Sequence, residues 1–420
     1  MSSGEAWVPV IRLCRKRLEE IIGLKLADEE FEDIFFRTKC EVSPLDDEYI
    51  EVEVTNDRLD MLMSEGIARV VRGLLGLELG MPKYETYDSG LKLEVHSSVR
   101  KVRPYIATAV IRGVHIDEYM LEEIIQLQEK IHTTLGRGRK KIAIGIHNYD
   151  VIRGRKLIYK AMGLDEFSFK PLYETRVMTG REILVKHEKG REYGWIIRAH
   201  NMAPVIVVEE TRDIIAMPPI INSDLTRVEP GTKNLFIDIT GIDEAAVYRA
   251  LDLVATTIAE SAGRRIGRVE ICSGQRTIRT PLLQTSKTVF SIAEAERVIG
   301  VELSPETVVD LLLRARYDVS ISSGMVEAEA PPYRYDILHK IDVIEDMAIS
   351  MGYNEIPIEL PTIYTTGREL RKTAFLRAVR NLMVGLGFQE ILTYMLSSPE
   401  DQLEFLEDAE GVKLIELENP

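Results

Sequence analysis

The sequence predicts an α+β multidomain fold, and three observations carry that prediction. Its 420 residues exceed what one ordinary core organises, so about three or four domains are expected. Hydrophobic residues make up 45% of the chain, enough to fill several packed cores. Segments of helical spacing are mixed along the chain with short apolar runs of strand type. Composition also narrows the function. A formal charge of −15 argues against a protein that coats nucleic acid through its overall field, so any RNA contact must use local basic patches. Cys14, Cys40 and Cys272 lie far apart without C-x-x-C spacing, against both a disulfide scaffold and a zinc site and in keeping with a reducing cytoplasm. No stretch reaches the ~18 uninterrupted apolar residues of a membrane span, and MSSGEAWVPV lacks a basic region followed by a long apolar one. A soluble, unprocessed, cytoplasmic chain is expected.

Residues 1–90 read as a small N-terminal α/β unit, with helices near Val10 to Ile22 and Ala27 to Thr38 and a strand at Tyr49 to Val54. In TNDRLDMLMSEGIARVVRGLLG the chain turns at Asn56 and Asp57 and enters a helix capped by Ser64, with Ile67, Val70, Val71 and Leu74 facing inward. Arg58, Arg69 and Arg72 read as solvated helix arginines rather than RNA contacts. Residues 91–270 form a larger mixed α+β domain. Its strands are expected at Ile106 to Val110, Ile142 to Ile146 and Val205 to Val208, and its helices at Asp117 to His132 and Asp243 to Ala262. Between the first helix and second strand, Gly136 and Gly138 of LGRGRKK make Arg137, Arg139, Lys140 and Lys141 a flexible cationic loop suited to phosphates, with a charged connector as the even alternative. MPPIINSD (Met217 to Asp224) and FIDITG (Phe236 to Gly241) read as an extended loop and a buried strand end, where pockets form. Turn and helix caps are the plain alternative for their polar residues. His147, at a strand end in IGIHNYD, reads as structural.

Residues 277–360 give the order strand, helix Ile292 to Ile299, helix Pro305 to Ala315, strand Tyr317 to Ile321, strand Val326 to Ala330, then an acidic helix, which is a winged-helix-like order. DNA binding is the alternative use of that order, but neither helix has a basic face and Glu294 and Glu296 repel phosphate. In the last region, 361–420, Leu370 to Leu386 is an amphipathic helix followed by Gly387, Phe388 and a strand at Glu390 to Met395. The stretch PPYRYDILHKIDVIEDMAISMGYNEIP concentrates Asp336, Asp342, Glu345 and Asp346 around the start of one short helix. That helix is expected to open near Asp336 and to close at Gly352, with Ile337, Ile341, Ile344, Ala348 and Met351 as its buried stripe. Asp342, Glu345 and Asp346 then share an outward face, poorly neutralised. A divalent cation such as magnesium, which takes oxygen ligands, could reverse their repulsion, and a solvated acidic face helped by Arg334, His339 and Lys340 is the plain alternative.

The wording of YRYDILHKIDVIEDMAISMGYNEIP closely resembles a signature of the β subunit of phenylalanyl-tRNA synthetase, archaeal and eukaryotic type. TNDRLDMLMSEGIARVVRGLLG, MPPIINSD and FIDITG resemble the same family in family order, and the Leu370 to Met395 region resembles motif 1 of class II synthetases. The resemblance implies Mg2+ on Asp336, Asp342, Glu345 and Asp346, at a site shared with the catalytic α subunit. It makes 91–270 a tRNA-editing-like domain that hydrolyses tyrosine mischarged onto phenylalanine tRNA. A pocket built for a phenyl ring rejects an added hydroxyl only weakly, by about 100-fold in a comparable case, so a second site that hydrogen-bonds the hydroxyl is useful. Asn222, Ser223, Asp238 and Thr240 are the candidate editing residues, placing a water rather than acting as a covalent nucleophile. Gln126 and Arg137 are implied to approach the same site, with Arg139, Lys140 and Lys141 available to tRNA. The resemblance also implies that 361–420 begins a catalytic-like antiparallel class II module without active-site chemistry. Aminoacylation, with ATP as substrate of the complex, then belongs to the α subunit in an assembly of two α and two β chains. This chain departs from the family pattern at Leu59, where N-R-P-D is usual around the turn, at Asn148 after His147, and at Asp346, often a glutamate; it ends at LELENP where members continue. The alternative function is a non-catalytic scaffold that binds tRNA and the α subunit.

Overall fold

Strand β1 (Val10–Cys14) takes the first half of the segment whose spacing suggested one helix, and only α1 (Arg15–Ile22) is helical. The alternation of β1, with Ile11 and Leu13 buried, suits a sheet, and Gly23 ends α1 at a positive φ of 87°. The computed structural model describes residues 8–46, 48–360, 363, 365–403 and 411–417, which fall into two units, Val8–Pro357 and the chain from Ile358 onward. In the first unit α2 (Asp28–Arg37), β2 (Glu41–Pro44) and β3 (Tyr49–Glu53) follow, and the three strands pair in the order β1-β3-β2. Helix α3 (Ser64–Leu74) buries Ile67, Val71 and Leu74 as expected.

Ser64 does not cap that helix. Its amide and hydroxyl both donate to the buried Glu123 carboxylate at 2.8 Å, and Met63 is the residue before the first turn. The arginines correct the expectation further. Arg58 makes a two-pronged pair with Asp60 (2.9 and 3.0 Å), and Arg69 is buried with its guanidinium 3.4 Å from the Tyr333 ring centre; only Arg72 stays partly exposed. A guanidinium is tolerated inside because each has a carboxylate or an aromatic face.

The central sheet is built from β4 (Glu85–Val95), β5 (Tyr105–Arg112), β6 (Ile142–Asn148) and β7 (Lys156–Gly163). Helix α4 (Glu118–Thr133) lies between β5 and β6. After β7 comes a ribbon of β8 (Ser168–Phe169) and β9 (Met178–Thr179), then short helices α5 (Gly180–Lys186), α6 (Glu188–Tyr193) and α7 (Trp195–Arg198). Strands β10 (Met202–Val208), β11 (Ile214–Met217), β12 (Ile221–Asn222) and β13 (Asn234–Gly241) lead into helix α8 (Glu244–Ala259), and β14 (Arg265–Ser273) and β15 (Arg276–Thr280) complete it. The order is β12-β11-β10-β7-β4-β14-β5-β13-β6, with β15 on β14; only β4 with β14 and β4 with β7 pair in parallel. Asp117 and Asp243 accept from the amides of Met120 and Ala246 and so cap α4 and α8 from just outside, which explains the helix starts read from sequence.

One core cluster joins Ile11, Phe35 and Ile67 to Ile124, Ile237 and Val254, so the 1–90 and 91–270 regions share a hydrophobic interior. Beyond it, β16 (Ser286–Ser291), α9 (Ile292–Ile299), α10 (Pro305–Arg314), β17 (Asp318–Ser322), β18 (Met325–Ala330) and α11 (Lys340–Met351) enclose a smaller core around Phe290, Leu312, Tyr317 and Met347. Its three strands are antiparallel in the order β16-β18-β17. In the second unit, α12 (Arg371–Gly385) and α13 (Pro399–Leu403) are helical, whereas Glu390 to Met395 is not a strand, since no described segment there offers it a ladder partner. Among the described residues no helix is long and apolar enough to cross a membrane.

Candidate functional site

A pocket lined by both polar and apolar side chains follows from the period of two in β13. Leu235, Ile237 and Ile239 enter the helix-covered core, which turns Phe236, Asp238 and Thr240 to the opposite face. Asp238 stands across from Gly145 on β6, the last strand of the sheet, and a pocket of about 590 Å³ runs along that edge. Helix α4 supplies Ile124, Gln128 and Glu129 to its wall, and the Pro218 to Asn222 loop, Thr226, Tyr173 and His187 close the other sides. A Cβ at position 145 would lie 2.1 Å from Asp238 Oδ2, so glycine is what lets this carboxylate sit there.

The expected editing residues meet different fates. Asp238, Asn222 and Ser223 line the pocket. Asn222 donates from Nδ2 to the Ile146 carbonyl at 3.3 Å, and the Ser223 hydroxyl accepts from the Leu225 amide in a turn. Thr240 does not line it: its hydroxyl accepts from Arg103 Nε at 2.8 Å in the buried interior. Gln126 points away, pairing with both the amide and the carbonyl of Arg12 on β1 (2.7 and 2.9 Å). Helix α4 shows residues 121, 124, 125 and 128 to the pocket, and position 126 lies on another face of that helix.

The LGRGRKK loop is not a flexible cationic arm. Arg137, Gly138 and Arg139 adopt positive φ (48°, 62° and 65°), and backbone bonds from Arg139 to His132 and from Lys141 to Gly136 tie the turn down. Arg139 is buried: it pairs with Glu129 at 2.6 Å, donates to the Ile220 carbonyl at 3.1 Å and lies 4.3 Å from the Tyr193 ring centre. It therefore pins the pocket loop instead of presenting charge to RNA. Lys141 pairs with Asp243 at 3.2 Å, while Arg137 and Lys140 remain exposed. Sequence reasoning passed over Glu129 and His132. Burial holds His132 down to about 4, and its Nε2 accepts the Ile144 amide at 2.8 Å, which leaves Nδ1–H to face Glu129 at 3.4 Å. Spacing on an amphipathic helix carries no signal for that arrangement.

The acidic stretch converges on a small pocket of about 70 Å³ that Asp336, Asp342, Glu345 and Asp346 all line. Three of its four acids have cationic partners, contrary to the expectation. Asp336 takes Arg334 Nε and Nη2 at 2.9 and 2.7 Å, Asp346 takes Arg334 Nη2 at 2.7 Å and the Tyr317 hydroxyl at 2.5 Å, and Glu345 takes Lys39 at 2.8 Å. Asp342 accepts the Leu338 and His339 amides (2.8 and 2.7 Å) ahead of α11, which begins at Lys340 rather than near Asp336. Asp346 is buried rather than outward, and Ile341, expected inside, is 43% exposed. As arranged, the set does not fit a magnesium shell, because a guanidinium and an ammonium already engage three of the four carboxylates and Asp342 is turned to backbone amides. Among the described residues no group of three or more His, Cys, Asp or Glu side chains is disposed to hold a metal.

Comparison with known proteins decides the family. The chain is 42% identical over 394 residues to the phenylalanine–tRNA ligase beta subunit of Aeropyrum pernix, covering 93% of this chain and 71% of that relative. The chain belongs to the phenylalanine–tRNA ligase beta subunit family. A second beta subunit, from Sulfolobus acidocaldarius, is 40% identical over 378 residues, covering 90% of this chain and 69% of the relative. Residues 288–353 match the tRNA synthetase B5 domain, and residues 356–420 match the phenylalanyl-tRNA synthetase beta chain CLM domain. The fold is similar to the crystal structure of an N-terminal fragment of the phenylalanyl-tRNA synthetase beta-subunit from Pyrococcus horikoshii, with a TM-score of 0.79 at 37% identity over 82% of this chain and all of that fragment. The mixed α+β multidomain reading stands on that similarity. In this beta-subunit chain, both the Asp238 pocket and the acidic pocket lie within Val8–Pro357.

Proposed function

We propose that this chain works as the β subunit of a cytoplasmic phenylalanine–tRNA ligase and carries a hydrolytic editing site in the Asp238 pocket. Charging of phenylalanine tRNA with ATP belongs to an α-subunit partner, in an assembly of two α and two β chains. The 91–270 region is the editing-like domain, 277–360 the winged-helix-like module and 361–420 the start of the catalytic-like class II module, with 1–90 as an N-terminal α/β domain. The observation that supports editing best is the placing of one buried carboxylate, Asp238, in the wall of a mixed polar and apolar pocket of about 590 Å³, room enough for the aminoacyl end of a tRNA. Such a site favours a side chain that brings a hydroxyl, because a ring without one leaves the second oxygen of the carboxylate unpaired. Asn222, in the pocket wall, is a polar group that could meet the tRNA end or a water; Arg137 and Lys140 are exposed on the turn after α4 and could meet tRNA phosphates. Magnesium at the acidic pocket would have to take the places of Arg334 and Lys39, and no step of this function is routed through it.

The test is release of tyrosine from tyrosyl-phenylalanine tRNA by the full chain and by Asp238→Ala. Release by the parent that falls at least about tenfold in the variant is expected, as for loss of one charge-assisted contact. Equal release by both would remove Asp238 from the chemistry. No release by either, with tRNA and α-subunit binding retained, would favour the scaffold.

A further inference from the structure

Behind Asp238 stands His147, which does not itself line the pocket. His147, Asp238 and Thr226 are all 1% exposed or less. His147 Nε2 lies 2.9 Å from Asp238 Oδ2, and Nδ1 lies 2.7 Å from the Thr226 hydroxyl. The hydroxyl also has the Ser223 carbonyl within reach at 3.4 Å; because a carboxylate only accepts, the ring proton is assigned to Nε2, and Nδ1 accepts from the Thr226 O–H. Nε2–H then donates to Oδ2. Among the described residues His147 is the hydrogen-bond donor to this carboxylate, and the ring is packed at 5.7 Å from Phe236. Gly145 supplies the missing wall: a Cβ there would lie 2.9 Å from Nε2 as well as against Oδ2.

The geometry points to His147 as a positioning residue for specificity: oriented by Thr226, it holds one oxygen of Asp238 so that the other accepts a phenolic hydroxyl in the pocket. The choice of a phenolic amino acid as ligand rests on the editing reading. A carboxylate free to turn about its side-chain torsions would lose both the angle and the defined vacancy that penalises a plain phenyl ring. His147 touches no reacting atom; it acts through Asp238.

Calorimetric titration of the full chain with tyrosinamide and phenylalaninamide tests this apart from hydrolysis. The parent is expected to prefer tyrosinamide by about tenfold or more, as for a hydrogen bond to a charged group. His147→Ala should erase most of that preference, Thr226→Val should reduce it, and His147→Gln, whose amide can donate from near the Nε2 position, should restore it. A merely structural role would weaken both ligands alike. The inference is overturned if the parent shows no preference, or if Thr226→Val and the His147 variants that fold keep the parental ratio. Tyrosine release from tyrosyl-tRNA is scored in parallel. A preference set by His147 without release would sink the editing reading alone, and release with an unaltered ratio would sink this inference alone.

Discussion

Arg334 is the residue on which the acidic pocket turns. Buried between Asp336 and Asp346, it is the guanidinium that lets two carboxylates share an interior site, and the Tyr317 hydroxyl completes Asp346. Taking away one partner of a buried ion pair costs about 3 to 5 kcal/mol because the other charge stays buried. Arg334→Met should lower the melting temperature sharply, and millimolar magnesium should restore part of the loss in that variant but not in the parent. Melting curves with and without the ion decide it; equal magnesium shifts in both proteins would mean that Arg334 is not what fills the site. The same residue shows why local sequence misled. Arg58, Arg69 and Arg139, like Arg334, read as solvated or phosphate-binding, yet each is buried against a carboxylate within about a dozen residues, and Arg69 and Arg139 also meet the distant rings of Tyr333 and Tyr193. One-dimensional spacing does not report a partner so far along the chain.

At the scale of elements, the C-terminal end of α4 is tied to the edge strand β6 by His132, whose Nε2 takes the Ile144 amide. That bond needs the neutral ring. The folded group, near 4, lies below the usual 6.5, so the unfolded chain binds the extra proton first and stability contributed by His132 is lost as pH falls from about 6.5 through 4. Asp252, which burial raises to about 6 where it accepts the Leu282 amide, and Glu123, which burial raises to about 7, run the other way, losing their contribution as pH rises through those values. The difference between parent and His132→Gln therefore isolates the effect. That difference should move by roughly 3 kcal/mol in favour of the variant between pH 7 and pH 4. Chemical denaturation at both pH values checks it, and a pH-independent difference would show that the ring is not held neutral. Helices α4, α8, α9 and α10 and strand β13 were legible because caps and periodicity are local. Strand β1 was not, since its alternation becomes decisive only against β3.

At the scale of the whole molecule, the N-terminal region packs directly against the central sheet. Its core is continuous with that of the central sheet, Gln126 closes the backbone of β1, and Glu123 holds both Ser64 and Arg17. A chain beginning at residue 91 should fail to melt cooperatively, because it would expose the apolar face that Ile11, Phe35 and Ile67 cover. Circular dichroism and calorimetry of that fragment give the answer, and a sharp, reversible transition would make 1–90 an independent domain after all. The sequence by itself determined the family, through long strings whose residue identities survive in order, and it determined most of the helices, through patterns that repeat within a few residues. It also brought Asp238 and Asn222 into view as pocket residues. Only the tertiary structure decided which polar groups face that pocket, that Thr240 and Gln126 turn elsewhere, and that three of the four acids are closed by Arg334 and Lys39 while Asp342 caps α11. Those outcomes depend on contacts between residues far apart in the chain, where burial makes each unpaired charge costly and so dictates the partner.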